Sequence, residues 1–72
     1  MTKDEIITIW KHVLNLETID PDKTFFEHGG NSLQAMTVLQ LAEEEYNYSV
    51  DLMHFFEHGT ITSMLAGGSD DQ

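Results

Sequence analysis

The sequence predicts an all-α fold: a small four-helix bundle of three main helices and one short helix, with a long first loop. Three observations support this prediction. The 72 residues suffice for one small domain. Apolar residues recur at helical spacing, and Gly, Pro and Asn separate the segments in which they do so. The hydrophobic content of 40% is too high for a disordered chain.

The first helix is predicted from Thr2 to about Leu16. Thr2 and Glu5 have the spacing of a capping box, in which each side chain binds a backbone N–H of the other residue. Apolar residues follow at helical spacing, so one face of this helix is expected to be buried. These residues are Ile6, Ile9, Trp10, Val13 and Leu14.

A long connection is predicted from Glu17 to Asn31. Pro21 interrupts any helix here, because proline lacks the N–H that a helix interior needs. A loop this long in a small domain is usually functional or held down by side chains. Ile19, Phe25 and Phe26 are the apolar residues expected to bury and to hold it.

The second helix is predicted from Ser32 to about Tyr46, with a core face that contains Ala35, Val38, Leu39, Ala42 and Tyr46. Leu33 and Met36 lie off that face, beside Ser32. Exposed single apolar residues are ordinary on protein surfaces. Their place next to Ser32 nevertheless favours a docking site for partner proteins, and methionine adapts well to different partners.

Residues 48–52 alternate like a strand, but no second strand is predicted to pair with them. We interpret them as an extended linker that buries Tyr48, Val50 and Leu52. A short helix is predicted from Met53 to about Glu57. A last helix follows, with Thr60 as its N-cap and an apolar face of Ile61, Met64 and Leu65. The predicted domain spans residues 1–67, and residues 68–72 are predicted to be a flexible acidic tail.

The pentapeptide Phe-Phe-Glu-His-Gly occurs twice, at residues 25–29 and 55–59. Two copies are too few for a repeat architecture. Each copy precedes a predicted helix start. We therefore interpret both as the same local arrangement: aromatic anchors, a glycine turn and then a helix cap.

Charge and composition exclude several classes of partner. Thirteen acidic residues stand against three basic ones, which gives a formal net charge of −10. Such a chain should bind neither nucleic acid nor anionic membranes. The charge indicates either a basic protein partner or solubility alone. The sequence has no Cys, no membrane-spanning apolar run and no signal peptide, so a cytoplasmic location is expected.

Ser32 stands where the second helix begins, directly after Gly29, Gly30 and Asn31. Serine is a favoured N-cap, since its hydroxyl accepts a hydrogen bond from an N–H of the first turn. The same place suits a phosphate, because free N–H groups and the helix dipole favour an anion. Ser32 is therefore either a cap or a hydroxyl presented for phosphate chemistry.

Residues 25–33 read Phe-Phe-Glu-His-Gly-Gly-Asn-Ser-Leu and resemble the core motif of the carrier domains of nonribosomal peptide synthetases. The resemblance continues through Ala35 and the segments 50–56 and 60–66. In that family the motif serine carries a 4′-phosphopantetheine arm, taken from coenzyme A. The resemblance thus implies that Ser32 is the attachment residue, with Gly30 and Asn31 in the cofactor site. His28 departs from the family, which usually has an apolar residue there.

The resemblance implies a peptidyl (aminoacyl) carrier protein that acts as a monomer and catalyses nothing itself. Its partners would be a phosphopantetheinyl transferase, an adenylating enzyme that activates an amino acid, and condensation or other tailoring domains. The arm would hold an aminoacyl group as a thioester for nonribosomal peptide-type biosynthesis.

Two alternatives remain. One is an acyl carrier protein of fatty-acid or polyketide type, which the net charge of −10 favours. Those proteins usually have Asp before the serine and acids after it, whereas Asn31 precedes Ser32 and residues 33–40 carry no charge. The other alternative is an unmodified acidic interaction domain, in which Ser32 is only a cap.

Enzymatic readings are weaker, and we predict no catalytic residue and no metal site. His54 and His58 match the H-x-x-E-H pattern of a zinc protease group, but catalytic zinc needs a third protein ligand and a walled site. Gly30 and Ser32 begin a serine-hydrolase elbow that lacks its last glycine.

Overall fold

The structure, a computed structural model, describes residues 1–70, and of residues 69 and 70 only the backbone. Within this range the chain forms four α-helices, which confirms the predicted helical bundle. They are α1 (Lys3–Leu14), α2 (Ser32–Tyr46), α3 (Leu52–His58) and α4 (Ile61–Gly67). The helices pack around one hydrophobic core, and loop 1 (residues 15–31) connects the first two.

Helix caps fix the boundaries of α1 and α4. The predicted capping box of Thr2 and Glu5 is present, with both reciprocal hydrogen bonds formed. Asn15 adopts the left-handed conformation at φ 56° and ends α1 at Leu14, two residues before the predicted end. Asparagine tolerates this conformation better than most residues, which explains the early stop. Thr60 caps α4 as predicted.

Trp10 lies at the centre of the core and is fully buried. Its indole N–H donates to the sulfur of Met64 on α4 at 3.3 Å. The edge of its ring meets Phe25 of loop 1, with ring centroids 5.1 Å apart. One side chain thus joins α1, loop 1 and α4, so the core depends on it directly. The largest fully buried side chains are Trp10, Phe25, Phe55, Ile6, Ile61, Met64 and Val38.

Loop 1 is held down mainly by Phe25, which is fully buried. Phe26 and Ile19, the other two predicted anchors, are only partly buried against the core. Phe26 begins a 3₁₀ turn, Phe26–His28. The Phe25 N–H donates to the Gly59 carbonyl at 2.6 Å, which fixes the loop to the α3–α4 connection.

The interpretation of residues 48–52 as an unpaired linker is wrong. Strand β1 (Tyr48–Val50) pairs antiparallel with β2 (Gly68–Asp70), with Val50 opposite Gly68. Tyr48 is buried, and its hydroxyl lies 3.0 Å from the Met64 carbonyl at the end of α4. Its ring leaves no room for a Cβ at position 68, so Gly68 lets the strand approach the ring.

The strand pair also changes the end of the fold. Residues 68–70, assigned above to a flexible acidic tail, form β2, and residues 71 and 72 lie outside the described part of the chain. The flexibility of residues 68–72 stays a prediction.

Two apolar residues are more exposed than predicted. Leu52 exposes 38% of its surface although it was predicted to be buried, and Leu65 exposes 36% although it was placed on the apolar face of the last helix. Leu52 is the first residue of α3 rather than part of an extended linker, so its side chain leaves the helix at the surface. Among the helices of residues 1–70, none is long and apolar enough to cross a membrane.

Candidate functional site

Ser32 is the first residue of α2, and its side chain is exposed. The cap of this helix is Asn31, whose side-chain oxygen accepts from the Gln34 N–H at 2.8 Å. Gln34 returns the bond, because its side-chain oxygen accepts from the Asn31 N–H at 3.0 Å. Ser32 is therefore not the N-cap, which removes the first of the two roles considered for it. Asparagine and serine cap helices equally well, so the sequence alone did not decide between these neighbours.

The hydroxyl of Ser32 is chemically free. Within residues 1–70 no hydrogen bond uses this hydroxyl, nor the backbone N–H of Ser32 or Leu33. No acidic residue lies in the first turn of α2, although the chain as a whole carries a net charge of −10. The positive end of the helix dipole is thus uncompensated beside the hydroxyl. A phosphodiester on Ser32 fits this place, because its oxygens would face unpaired N–H donors and no nearby carboxylate.

Two glycines precede this helix start, and each position requires glycine for a different reason. Gly29 has φ 93°, a left-handed conformation that other residues reach only with strain, and ends the 3₁₀ turn. Gly30 has no such constraint on φ. A Cβ at position 30 would overlap the ring of Phe25, so Gly30 is needed for the close approach of the backbone to that ring. The position of Ser32 thus depends on the most deeply buried side chain of loop 1.

Leu33 and Met36 are exposed, as predicted, with 73% and 53% of their surface accessible. Met36 also lines an open groove of about 250 Å³ between α2 and the β1–α3 connection. The opposite wall of the groove includes Val50 and Leu52, and Gln40 and Glu43 form its polar edge. Leu52 was predicted to be buried, so its place on this surface was not expected from the sequence. A mixed apolar and acidic surface therefore begins directly beside Ser32.

His54 and His58 lie one turn apart on α3, with ring centroids 4.6 Å apart. The Nε2 atom of His54 is buried and has no hydrogen-bond partner among the described residues. Among the described side chains, those of residues 1–68, no group of three or more His, Asp or Glu is placed to hold a metal ion. The two histidines therefore do not extend into a larger ligand set in the described part of the chain.

Comparison with known proteins identifies the family of this chain. Residues 4–66 match the family described as a phosphopantetheine attachment site. The chain belongs to this family. It is a carrier domain, and its cofactor is 4′-phosphopantetheine. The match extends from α1 to α4 and therefore covers the whole helical core.

Relatives of this carrier domain are parts of very large synthetases. The chain is 43% identical over 63 residues to surfactin synthase subunit 1 of Bacillus subtilis, covering 88% of this chain and 2% of that protein. It is 38% identical over 60 residues to tyrocidine synthase 3 of Brevibacillus parabrevis, covering 83% of this chain and 1% of that protein. The carrier domain thus spans only a few hundredths of the length of these relatives.

Solved structures share the fold. A structure of the phosphopantetheine transferase Sfp in complex with coenzyme A and a peptidyl carrier protein matches with a TM-score of 0.83 and 29% identity, over 92% of this chain and 86% of that chain. A nonribosomal peptidyl carrier domain matches with a TM-score of 0.82 and 22% identity, over 100% of this chain and 95% of that chain. The second match shows the fold alone.

Proposed function

We propose that this carrier domain is a peptidyl (aminoacyl) carrier and that Ser32 is the residue that takes the 4′-phosphopantetheine. The proposal rests on the different roles of two neighbouring residues, Asn31 and Ser32, at the start of α2. Asn31 caps the helix, so the exposed hydroxyl of Ser32 is left unpaired at the positive end of the dipole. The family match covers this position.

The attachment reaction uses Ser32 as a nucleophile. Its Oγ attacks the pantetheine-linked phosphorus of coenzyme A on a Mg²⁺-dependent transferase and gives up its proton. The phosphoanhydride bond breaks, and adenosine 3′,5′-bisphosphate leaves. Unpaired N–H groups at the helix start and the absence of a carboxylate in the first turn favour the phosphodiester that results. Once attached, the group supplies a terminal thiol that holds an aminoacyl residue as a thioester.

Two observations favour the peptidyl reading over an acyl carrier of fatty-acid or polyketide type. The relatives with 43% and 38% identity are surfactin synthase subunit 1 and tyrocidine synthase 3, and a solved peptidyl carrier protein shares the fold, whereas a polyketide synthase of Bacillus subtilis matches with 29% identity over 62 residues. The first turn of α2 also has no acidic residue, which is the departure noted from the acyl carrier pattern.

The proposed partners follow from this assignment. A phosphopantetheinyl transferase modifies Ser32, an adenylating enzyme loads the arm, and condensation or other tailoring domains use the loaded group. The related carrier protein solved with the transferase Sfp supports the first of these. The carrier domain itself supplies position and recognition and no catalysis. A monomeric state and a cytoplasmic location stay predictions.

The attachment residue is tested by intact mass. Incubation of the apo protein with coenzyme A, Mg²⁺ and a promiscuous transferase should add one phosphopantetheine, and Ser32→Ala should add none. Thr37→Ala is the matched control, because Thr37 is an exposed hydroxyl residue of the same helix and should leave modification intact. Modification of Ser32→Ala would contradict the assignment. A wild type that is never modified would favour the acidic interaction domain instead.

We further propose that Leu33 and Met36 dock partner proteins. Both side chains are exposed next to Ser32, so an apolar contact there can form as the arm is delivered. Met36→Asp should leave the free energy of unfolding nearly unchanged. It should lower kcat/KM for loading by at least about tenfold, because a charge would have to lose its hydration in the contact.

The docking test compares charge placed on and beside the patch. Loading of holo-protein is measured for wild type, Met36→Asp, Thr37→Asp and Glu44→Lys, with an adenylating enzyme that loads the wild type, at low and high salt. An apolar contact predicts weak salt dependence and a defect in Met36→Asp alone. Normal loading of Met36→Asp, with failure of Glu44→Lys and steep loss in salt, would show that the carrier docks by charge.

A further inference from the structure

His28 binds two earlier residues of loop 1 through its two ring nitrogens. Its Nε2 lies 3.0 Å from the backbone nitrogen of Asp20, and its Nδ1 lies 2.8 Å from the carbonyl oxygen of Thr24. The Asp20 N–H can only donate and the Thr24 carbonyl can only accept. Nε2 must therefore be bare and Nδ1 must carry the proton. His28 is neutral in this arrangement, and the hydrogen bonds select its Nδ1–H tautomer.

This ring sits where loop 1 leads into the helix that carries Ser32. His28 ends the 3₁₀ turn, and Gly29 and Gly30 follow it directly. A second reciprocal pair supports the same turn: the Thr24 N–H donates to the Glu27 carboxylate at 2.9 Å, and the Glu27 N–H donates to the Thr24 hydroxyl at 3.0 Å. The ring of His28 also meets the edge of Trp10 on α1, with centroids 6.0 Å apart. The loop exit is thus fixed by side chains at several points.

Protonation of His28 would break this arrangement at one point. A proton on Nε2 would face the Asp20 N–H, so two donors would meet and both would lose their partner. His28 is half-buried and Asp20 is exposed, so protonation costs the net worth of this one hydrogen bond. The charged groups around the ring are the carboxylates of Asp20 and Glu27 and, farther along the loop, Lys23, whereas α1 presents the uncharged Trp10. Attraction between His28 and these exposed carboxylates is weakened by solvent and salt.

Glu27 does not titrate in the same pH range. The pKa of its carboxyl is lowered from the ordinary value, first by the hydrogen bond from the Thr24 N–H and then by the Thr24 side chain. Glu27 therefore stays ionised, and its pairing with Thr24 persists, at pH values where histidine gains a proton. A change of loop 1 in that range is therefore not due to Glu27.

We propose that neutral His28 is a positioning residue that clasps loop 1 ahead of Ser32, and that protonation of His28 releases the clasp and slows modification of Ser32. The proposal rests on the proposed function of Ser32. It adds that the rate at which this carrier accepts its cofactor falls as the pH is lowered through the range of histidine protonation. Carriers of this family with an apolar residue at this position would have no such response.

The first test is direct observation of the clasp by NMR. Nitrogen-15 spectra of the imidazole side chains should show His28 as the Nδ1–H tautomer at about pH 8. The protection factor of the Asp20 amide against hydrogen exchange should fall about fivefold between about pH 8 and pH 5.5. That change corresponds to about 1 kcal/mol, the net worth of one hydrogen bond.

The second test measures modification. His28→Gln keeps one donor and one acceptor but does not titrate, so it serves as the internal reference for the pH dependence of the transferase. The ratio of kcat/KM for wild type to that for His28→Gln should fall, by up to about fivefold, as the pH is lowered from about 8 to 5.5. His58→Gln is the matched control, because His58 is exposed and holds the same place in the second pentapeptide. Its ratio to wild type should not change with pH.

Three results would overturn the clasp: an Nε2–H tautomer of His28, an Asp20 protection factor that is independent of pH, or a kcat/KM ratio that stays constant. Failure of the proposed function has a different signature. In that case wild type is not modified even at about pH 8, while the tautomer and the exchange of Asp20 still report on His28.

Discussion

The pentapeptide Phe-Phe-Glu-His-Gly has two backbone forms in this protein. At Phe25–Gly29 it makes a 3₁₀ turn in loop 1, and at Phe55–Gly59 it forms the end of α3. Both copies share three features: the first Phe is fully buried, the second is partly buried, and the glycine is left-handed, with φ 93° at Gly29 and 69° at Gly59. The pattern of anchors and turn is therefore local, whereas the helix type is set by the surroundings.

The two copies of the pentapeptide are also in contact with one another. The Phe25 N–H donates to the Gly59 carbonyl, and the rings of Phe26 and Phe56 stack with centroids 6.0 Å apart at an angle of 24°. Phe25 and Phe55 lie 5.8 Å apart in the core. The two helix starts that follow the copies, those of α2 and α4, are thus built on a common aromatic cluster.

One residue separates their outcomes. In the second copy the cap Thr60 follows Gly59 directly, and the first helical residue, Ile61, is 1% exposed. In the first copy Gly30 is added before the cap Asn31, and the first helical residue, Ser32, is exposed. The same turn is therefore followed by a buried first helical residue in α4 and by an exposed one in α2. The first copy thus has one more residue before its cap, and that residue is the glycine that packs on Phe25.

The largest expected effect tests whether the two copies are equivalent as anchors. Phe25→Ala and Phe55→Ala should each lower the free energy of unfolding by about 3–5 kcal/mol, because both rings are fully buried. Phe26→Ala should cost less, since its ring is only partly buried. Urea denaturation followed by circular dichroism measures all three.

A domain of this size has a total stability of about 4–11 kcal/mol, so the alanine variants are paired with Phe25→Leu and Phe55→Leu, which remove less volume. Equal losses at the two positions would support equivalence. A loss at Phe55 more than about 2 kcal/mol above that at Phe25 would show that loop 1 is not anchored like the end of α3.

A smaller effect is expected at the added glycine. Gly30→Ala should lower stability by about 1–3 kcal/mol, because its Cβ overlaps the Phe25 ring and the backbone must move. Since that backbone presents Ser32, the rate of modification should fall as well. Gly29→Asn is the comparison variant: position 29 has open space, so asparagine meets only the strain of a positive φ, which it tolerates better than most residues. If Gly30→Ala is modified as fast as wild type, the close packing on Phe25 does not position Ser32.

The smallest effect concerns the glutamates of the two copies. Glu27 has a pKa below its ordinary value of 4.5 because Thr24 hydrogen-bonds it, whereas the carboxylate of Glu57 has no hydrogen-bond partner among the described residues. A lowered pKa in the folded state adds stability that is present above the unfolded pKa and is lost as the pH falls through the folded value. Glu27→Gln should therefore be less stable than wild type at neutral pH, and the difference should shrink below about pH 4.5.

Denaturant melts at several pH values measure this difference, with Glu57→Gln as the matched variant. The same pH dependence in Glu27→Gln and Glu57→Gln would contradict the distinction between the two copies.

Local signals in the sequence predicted most of the helices. The capping box at Thr2, the N-cap Thr60 and the apolar stripe of α1 are found where the pattern placed them, because caps and periodicity depend on neighbours three or four residues away. The exposure of Leu33 and Met36 followed from the same periodicity. These features are set within a few turns of helix, so a single sequence is enough to find them.

Contacts between distant segments explain what was missed. The pairing of β1 with β2 joins residues about twenty positions apart, and Gly68 carries no side chain that would predict a strand. Asn31 rather than Ser32 caps α2, and adjacent residues that cap helices equally well cannot be ranked from the sequence alone. The hydrogen bonds of His28 reach back to Asp20 and Thr24 across a turn whose shape no local pattern gave.

Trp10 is the only tryptophan of the chain, and its position makes its fluorescence an intrinsic probe of the surrounding structure. Its buried ring meets Phe25 and His28 from loop 1 and Phe55 from α3, with centroids 5.1, 6.0 and 6.2 Å away. Indole emission changes with the polarity around the ring and with nearby quenchers. Intrinsic fluorescence therefore provides a label-free optical signal from the point where both pentapeptides meet, and it can follow loop 1 in real time during each encounter of the carrier with another protein.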